Sequence, residues 1–434
     1  MTVDNRWWRQ KRWGIAVLLM LVTAVGSIDR QAMSVVAKTI KDDFHLSNTQ
    51  YGALAFAFLF AYGVGQWFAG LFVDRYGTKR ALQAAVIWWS AAAMLHALAF
   101  GFWSFFVARA LLGLTEGANL PAAFKAVSEW FPSAERSAAA GVVTAGTSLG
   151  LILAPPLAGT LMYFFDWRAA FIVPGLMGLV WVWFWQRGYF LPEEHPRVSD
   201  AERALALRDR IGGSSTGGSS WRERVALWRH YLTYRETWGL ILARFVGDGA
   251  FYFFAIWLPL YMQQERGFSI LKSAFFVAIP FIAADIGSLG GGWLGARLIK
   301  SGWSVNRSRK TLIWAGCIGG IVAWPVSSVD SAALALLLAA IAVCSIQVKT
   351  ASLFPLAADM FPARDVATVW GMSGALGAVG AALFQWAMGA LIDASGYATA
   401  FAIVSLMCLL QASMISLFIP RIEPLTRATA LKAA

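Results

Sequence analysis

Apolar residues gather in runs of about 20 or more, set apart by short polar stretches. Twelve such runs are legible, at 13–37, 51–72, 80–100, 103–127, 137–162, 168–190, 237–262, 272–298, 310–328, 331–357, 366–392 and 398–420. At 1.5 Å per residue, about 20 residues cross the ~30 Å hydrocarbon core of a bilayer. A helix satisfies its own backbone groups, so repeated runs of this length predict an all-α membrane protein of twelve transmembrane helices. We number them spans 1 to 12. The opening RWWRQKRWGIAVLLMLVTAVGS imitates a signal peptide, basic residues before an apolar run. It leads into DRQ and then into further spans, so it reads as a retained first helix.

The longest polar stretch, about 191–236, divides the spans six and six. It contains PEEHPRVSDAERALALRDR, which fits a short amphipathic helix, and then IGGSSTGGSS, a flexible linker by composition. The expected organisation is a six-helix bundle at 1–190, a cytoplasmic linker at 191–236 and a second six-helix bundle at 237–434. The two halves echo each other 230 residues apart. EWFPSAER at 129–136 answers DMFPARDV at 359–366. Gly141, Gly150 and Gly159 answer Gly371, Gly380 and Gly389, and RAAF at 168–171 answers ATAF at 398–401. Six-plus-six repeats with a midplane site between them are a transporter architecture.

Composition agrees: of 434 residues, 58% are hydrophobic and 14% charged. The net charge of +12 does not point to nucleic acid, because the basic residues lie in loops between apolar runs. Alternating the connections puts 27 of the 36 Lys and Arg on one side, with both termini. Only Lys38, Lys41, Arg168, Arg266 and Lys272 fall on the other. The basic side is therefore expected to be cytoplasmic. Cys317, Cys344 and Cys408 sit in apolar runs, and the four histidines have no metal-ligand spacing. No nucleophile–base arrangement or phosphate-cradling loop is present, so neither an enzyme nor a cofactor is expected.

Eight ionisable residues interrupt the spans: Arg30, Arg109, Arg244 and Lys349, balanced by Asp29, Glu116, Asp248 and Asp285. Each costs roughly 2.5–3.5 kcal/mol at a helix centre, so each should face the bundle interior with a partner. Arg109 and Glu116 lie two turns apart on one face of span 4, about 10 Å along the axis. They must therefore look across to other helices. Asp29 and Arg30 in span 1 point about 100° apart. The expected arrangement pairs Asp29 with Arg109 and leaves Arg30 and Glu116 nearer the substrate path. A static ion-pair network that only sets packing is the alternative. Arg30 offers a fork that matches a carboxylate, and Asp29 and Glu116 are the candidate proton-carrying groups. Arg244 and Asp248 stand at i, i+4, the spacing of a self-neutralising pair. Lys349 could hold a substrate carboxylate, pair with Asp285 or Asp248, or snorkel towards the interface. Trp257 and Tyr261 fit either a cavity wall or the aromatic belt. Tyr62, Thr147, Gln347 and Ser373 are candidates for bonding substrate hydroxyls, or for bonding their own or a neighbouring helix. Gly141, Gly146 and Gly150, followed by Pro155 and Pro156, suit a sliding interface or simple tight packing.

Between spans 2 and 3 stands GLFVDRYGTKR. Gly70 would allow close helix approach, Asp74 could face a helix N-terminus, and Gly77 would permit a tight turn. Arg75, Lys79 and Arg80 would hold the loop inside. The stretch resembles G-x-x-x-D-R-x-G-x-[RK]-[RK], the signature loop of the major facilitator superfamily. The equivalent turn of the second half, GGWLGARLIKSGWSVNRSRK, is degenerate, with Ala296 in the place of Asp74.

The resemblance extends to the anion:cation symporters of that superfamily, and among them to hexuronate transporters. SIDRQAMSV, ARALLGLTEGANLPAAFKAVSEWFP, TAGTSLGLILAPPL, WRAAFIVPGLMGLVW, ARFVGDGAFYFFAIWLPLYMQQERG and WGMSGALGAVGAALF carry it. It implies that Asp29 and Glu116 are protonation sites, and that Arg30 and Arg109 bind substrate or pair with those acids. It also places Tyr62 and Thr147 in matching motifs. Lys349 departs from the pattern, since such relatives carry a His-Gln-Ala-Trp-like run there. The expected function is proton-coupled import of a sugar acid across a bacterial inner membrane, by a functional monomer that needs no cofactor beyond H⁺. Export of organic anions or drugs is the rival within transport, and a transporter-like receptor the rival outside it.

Overall fold

A computed structural model describes residues 10–208, 227–362 and 366–425. The Gly/Ser tract at 211–220 and residues 363–365 of the DMFPARDV repeat lie outside the described residues. Among the described residues all regular structure is helical.

Span 1 is one helix, Lys11–Asp43. Spans 2 and 3 run together as Asn48–Leu95, folded back at Gly77 (φ 75°, ψ 156°). A positive φ of this size is cheap only for glycine, so the one residue without a Cβ makes the turn. Spans 11 and 12 repeat the device as Val366–Phe418, turned at Gly396 (φ 75°, ψ −179°). Span 4 is broken into Phe102–Glu116 and Asn119–Trp130. Pro121 has no N–H to donate to the Gly117 carbonyl, which ends the first hydrogen-bond ladder there.

Span 5 is Ser133–Phe164 and span 6 is Ala169–Gly188. Spans 7 to 10 are Arg235–Gln264, Ile270–Lys300, Val305–Gly320 and Ala332–Leu353. Span 9 continues as a 3₁₀ turn, Ile321–Ser327, that contains Pro325. Ser269, Ser304 and Ser331 cap spans 8, 9 and 10, each side chain accepting from the N–H three residues on. Among the described residues nine helical stretches are long and apolar enough to cross a membrane. Two of these hold two spans each, and broken span 4 supplies the twelfth. The linker contributes the short helix Asp200–Arg208, as its sequence suggested.

The chain divides into two compact units, and they are not the two sequence halves. One takes in Met1–Val36 and Ala61–Gly218; the other takes in Ala37–Phe60 and Ser219–Ala434. The end of span 1 and the start of span 2 thus group with the second unit.

In the first unit, span 5 lies backbone-close on span 1. A Cβ on Gly146 would overlap the Met20 carbonyl, and one on Gly150 would stand 2.5 Å from Ser27 Cβ. Gly141 meets nothing, so the close seam is confined to the second and third of the three glycines.

Candidate substrate and proton site

The interior charges of the first unit converge as expected, with a different pairing. Arg30 Nη2 donates to Glu116 Oε1 at 2.5 Å. Glu116 is 1% exposed and Arg30 20%, so Arg30 is the more accessible member of the pair. The Arg30 guanidinium also stands 4.8 Å from the centre of the Tyr62 ring, within cation–π range. The expected Asp29–Arg109 ion pair is not made. Among the described residues neither oxygen of Asp29 has a hydrogen-bond partner, although Asp29 is only 1% exposed. Glu116 Oε2 is likewise buried and unsatisfied. Arg109 is buried and acts electrostatically on both Glu116 and His96.

Local sequence explains why Glu116 turns to span 1. Gly26, one turn before Arg30, leaves the space that the carboxylate occupies, and a Cβ there would stand 3.2 Å from Glu116 Oε1. On the other side, span 4 is backed onto span 2. A Cβ on Gly117 would lie 2.6 Å from the Gln66 nitrogen and 2.8 Å from the Tyr62 carbonyl. Two glycines flanking this site therefore bring three helices close enough for Arg30, Tyr62 and Glu116 to meet. Gly26 was not singled out by the sequence reading. Its signal was the position, one turn before an intramembrane Asp-Arg pair.

The remaining hydroxyl candidates differ. Thr147 is half-buried on span 5. Ser373 is buried and its hydroxyl returns to the Trp370 carbonyl at 3.0 Å, the ordinary behaviour of a helical serine. Gln347 is half-buried.

The second unit holds the other charges. Arg244 Nε donates to Asp248 Oδ2 at 3.0 Å, one turn apart on span 7. The guanidinium stands within cation–π range of both Phe354 and Trp370, 5.1 and 5.0 Å from their ring centres. Gly374 and Gly377 of span 11 face this pair; a Cβ on Gly377 would stand 2.8 Å from Asp248 Oδ2. Asp285 is half-buried on span 8. Lys349 has a side-chain partner other than the two acids considered for it. It is buried and its ammonium donates to Gln411 Oε1 of span 12. Gly316 of span 9 leaves room for its stem. Gln411, the acceptor, carried no signal in the sequence beyond being a polar residue in an apolar run. Trp257 and Tyr261 are buried as well. The indole donates to Gln385 Oε1 at 3.0 Å and the phenol to the Val326 carbonyl at 3.1 Å, so neither belongs to an aromatic belt.

At the signature turn, Gly77 supplies the positive φ that its place required. Gly70 does not mark a close approach, because a Cβ there would meet nothing within 4 Å. Asp74 takes a salt bridge from Lys125 of span 4 at 2.7 Å. Arg75 lies over the Tyr76 ring and Arg80 is exposed. Next to them, Thr78 and Tyr189 both donate to the Glu129 carboxylate.

The profile of the Major Facilitator Superfamily matches residues 19–355. The hexuronate transporter of Escherichia coli (strain K12) is 31% identical over 406 residues, 93% of each chain. The galacturonate transporter of Dickeya chrysanthemi is 33% identical over 309 residues, 71% of this chain and 88% of that protein. Among solved structures, a bacterial homolog to the human lysosomal transporter Spinster, in an inward-facing and occupied conformation, shares the fold. Its TM-score is 0.76 at 18% identity, over 94% of this chain and 96% of that one. With most of its length matched by the profile and by relatives of this identity, the chain belongs to the Major Facilitator Superfamily: it is a multi-pass membrane transporter, not an enzyme.

Proposed function

We propose that the protein imports a sugar acid, a hexuronate or a related aldonate or aldarate, together with a proton. The membrane is a bacterial inner membrane, both termini are cytoplasmic, and the working unit is a monomer. The observation that carries this reading is the Arg30–Glu116 pair, with its partly exposed cation and buried acid, beside an Asp29 that has no hydrogen-bond partner among the described residues. The similarity to hexuronate and galacturonate transporters supports the substrate class.

The chemistry follows from charge balance. With the site empty, Glu116 neutralises Arg30. When a proton reaches Glu116 the pair loses its ionic character, and the guanidinium fork is released for the substrate carboxylate. Arg30, the neutral Glu116 and the substrate carboxylate then sum to zero charge, which eases passage through an occluded state. Asp29 is a second proton acceptor, because a buried carboxylate without hydrogen-bond partners is more costly charged than neutral. Tyr62 packs against the sugar's C–H face and also offers its hydroxyl. Thr147 and Gln347 bond hydroxyl groups, and Arg109 holds the local field positive.

A thermal-shift screen of sugar acids on the purified protein tests the recognition step. A hexuronate should raise the midpoint for the native chain and fail to do so for Arg30→Ala. An undiminished shift in Arg30→Ala would remove the carboxylate role of that residue.

A further inference from the structure

The spacing of the signature turn occurs a second time, in a place the internal repeat does not assign to it. Residues 389–396 read GALIDASG, which reproduces the Gly-x-x-x-Asp-x-x-Gly of residues 70–77. In both copies the last glycine has φ 75° and folds one long helix into two spans. The two turns lie on opposite sides of the membrane by the alternation of spans, and their aspartates have different partners. Asp74 is held by Lys125. Asp393 accepts the backbone N–H of Asn48 at 3.0 Å, that of Thr49 at 2.7 Å and the Thr49 hydroxyl at 2.6 Å. Those N–H groups open span 2, whose first donors have no partner within their own helix.

The surroundings turn this cap into a tight closure within the second unit. A Cβ on Gly389 would overlap the Asn48 carbonyl, and one on Gly52 would stand 2.5 Å from the Gln385 carbonyl, so spans 2 and 11 touch by backbone. Lys41, at the end of span 1, donates to Asn48 Oδ1. The Tyr51 hydroxyl donates to the Ile256 carbonyl of span 7 at 3.1 Å, and its ring meets Trp257 edge-on at 5.1 Å. Gln385 ties span 11 to span 7 by accepting from Trp257 and donating to the Gly249 carbonyl, each at 3.0 Å. These bonds hold residues 37–60 in the second unit, although spans 1 and 2 continue into the first.

We propose that GALIDASG is an outer-face latch: Asp393 clamps the start of span 2 onto spans 7 and 11, and its release is a step of the transport cycle. The two G-x-x-x-D-x-x-G turns then act as paired fasteners, one on each side of the membrane. The latch depends on the chain being a transporter and is independent of which substrate or coupling ion it uses.

The test is cysteine accessibility from outside the cell. Ala55 lies one turn beyond Tyr51 on the same face of span 2 and is 4% exposed. Ala55→Cys, in a chain with Cys344→Ser, is treated in whole cells with a membrane-impermeant maleimide. Losing the charge-assisted bonds of Asp393 should speed labelling at least about tenfold in Asp393→Ala. Thr49→Val, which removes one bond of the three, should give a smaller rise and serves in its place if Asp393→Ala does not reach the membrane. Asp74→Ala, on the opposite face, should give none. Unchanged labelling in Asp393→Ala and Thr49→Val would overturn the latch. So would a rise that Asp74→Ala matches, since that is overall loosening rather than release of one fastener.

Discussion

At the scale of single residues, the site is a problem in charge placement. Glu116 is buried with one oxygen on Arg30 and the other unsatisfied. Glu116→Gln keeps the shape and removes the ionisable group. It is expected to retain exchange of labelled sugar acid across the membrane and to lose accumulation driven by a pH gradient, as read in proteoliposomes. Arg30→Lys keeps the charge and removes the fork; affinity is expected to fall at least about tenfold, roughly 1.4 kcal/mol, by titration calorimetry. Gly26→Ala places a methyl group 3.2 Å from Glu116 Oε1, so the carboxylate must shift. The pH profile of transport should move in that variant while folding is preserved. What the sequence made legible here was which charges are interior. It could not give their pairing, because a spacing of seven residues in span 4 fixes a shared face but not the neighbour that faces it. Gly26 and Gly117 decide that, through contacts between helices far apart in the chain.

At the scale of elements, the spans were readable because the apolar runs match the bilayer in length. Their joins were less so. The sequence placed a turn at Gly77, and φ confirms the reason; the break in span 4 follows from Pro121, which lies inside an otherwise uninterrupted apolar run. The seam between spans 1 and 5 rests on Gly146, where a side chain would strike the Met20 backbone. Gly146→Val is therefore expected to destabilise the protein by about 1–3 kcal/mol, the usual range for overpacking, and to lower its thermal midpoint in detergent. The linker segment after span 6 carries its own pH sensitivity. Burial first, with weaker repulsion from Lys11 and Arg197, holds the His195 imidazole below the usual histidine range, against the opposing pull of the Gly188 carbonyl and Glu202. Its Nδ1 accepts from the Arg197 N–H at 3.1 Å, a bond that protonation there would break. The folded segment thus binds fewer protons than the unfolded one. Its stabilisation is complete above about pH 6.5 and is lost as pH falls through the lowered folded value. The exchange protection of residues 195–208, corrected for the intrinsic rate at each pH, should fall on acidification in the native chain, and that acid-dependent part should vanish in His195→Phe.

At the scale of the whole molecule, the basic loops, the six-plus-six count and the signature turn together were enough to name the fold, since each reflects a constraint that acts along the chain. The division into units was not legible in the same way. Residues 37–60 belong by sequence to the first half and by packing to the second unit, because Asn48, Tyr51 and Gly52 find their partners on spans 7 and 11. Lys349 shows the same limit, since its bond to Gln411 of span 12 was not readable from spacing along the chain. The central claim is that a proton on Glu116 frees Arg30 for a carboxylated sugar. Its most direct test is proton movement in lightly buffered proteoliposomes when galacturonate is added outside. Alkalinisation of the external medium is expected with the native chain, and none with Glu116→Gln, although that variant still exchanges labelled galacturonate. Galacturonate entry through the native chain without any change of external pH would contradict the account.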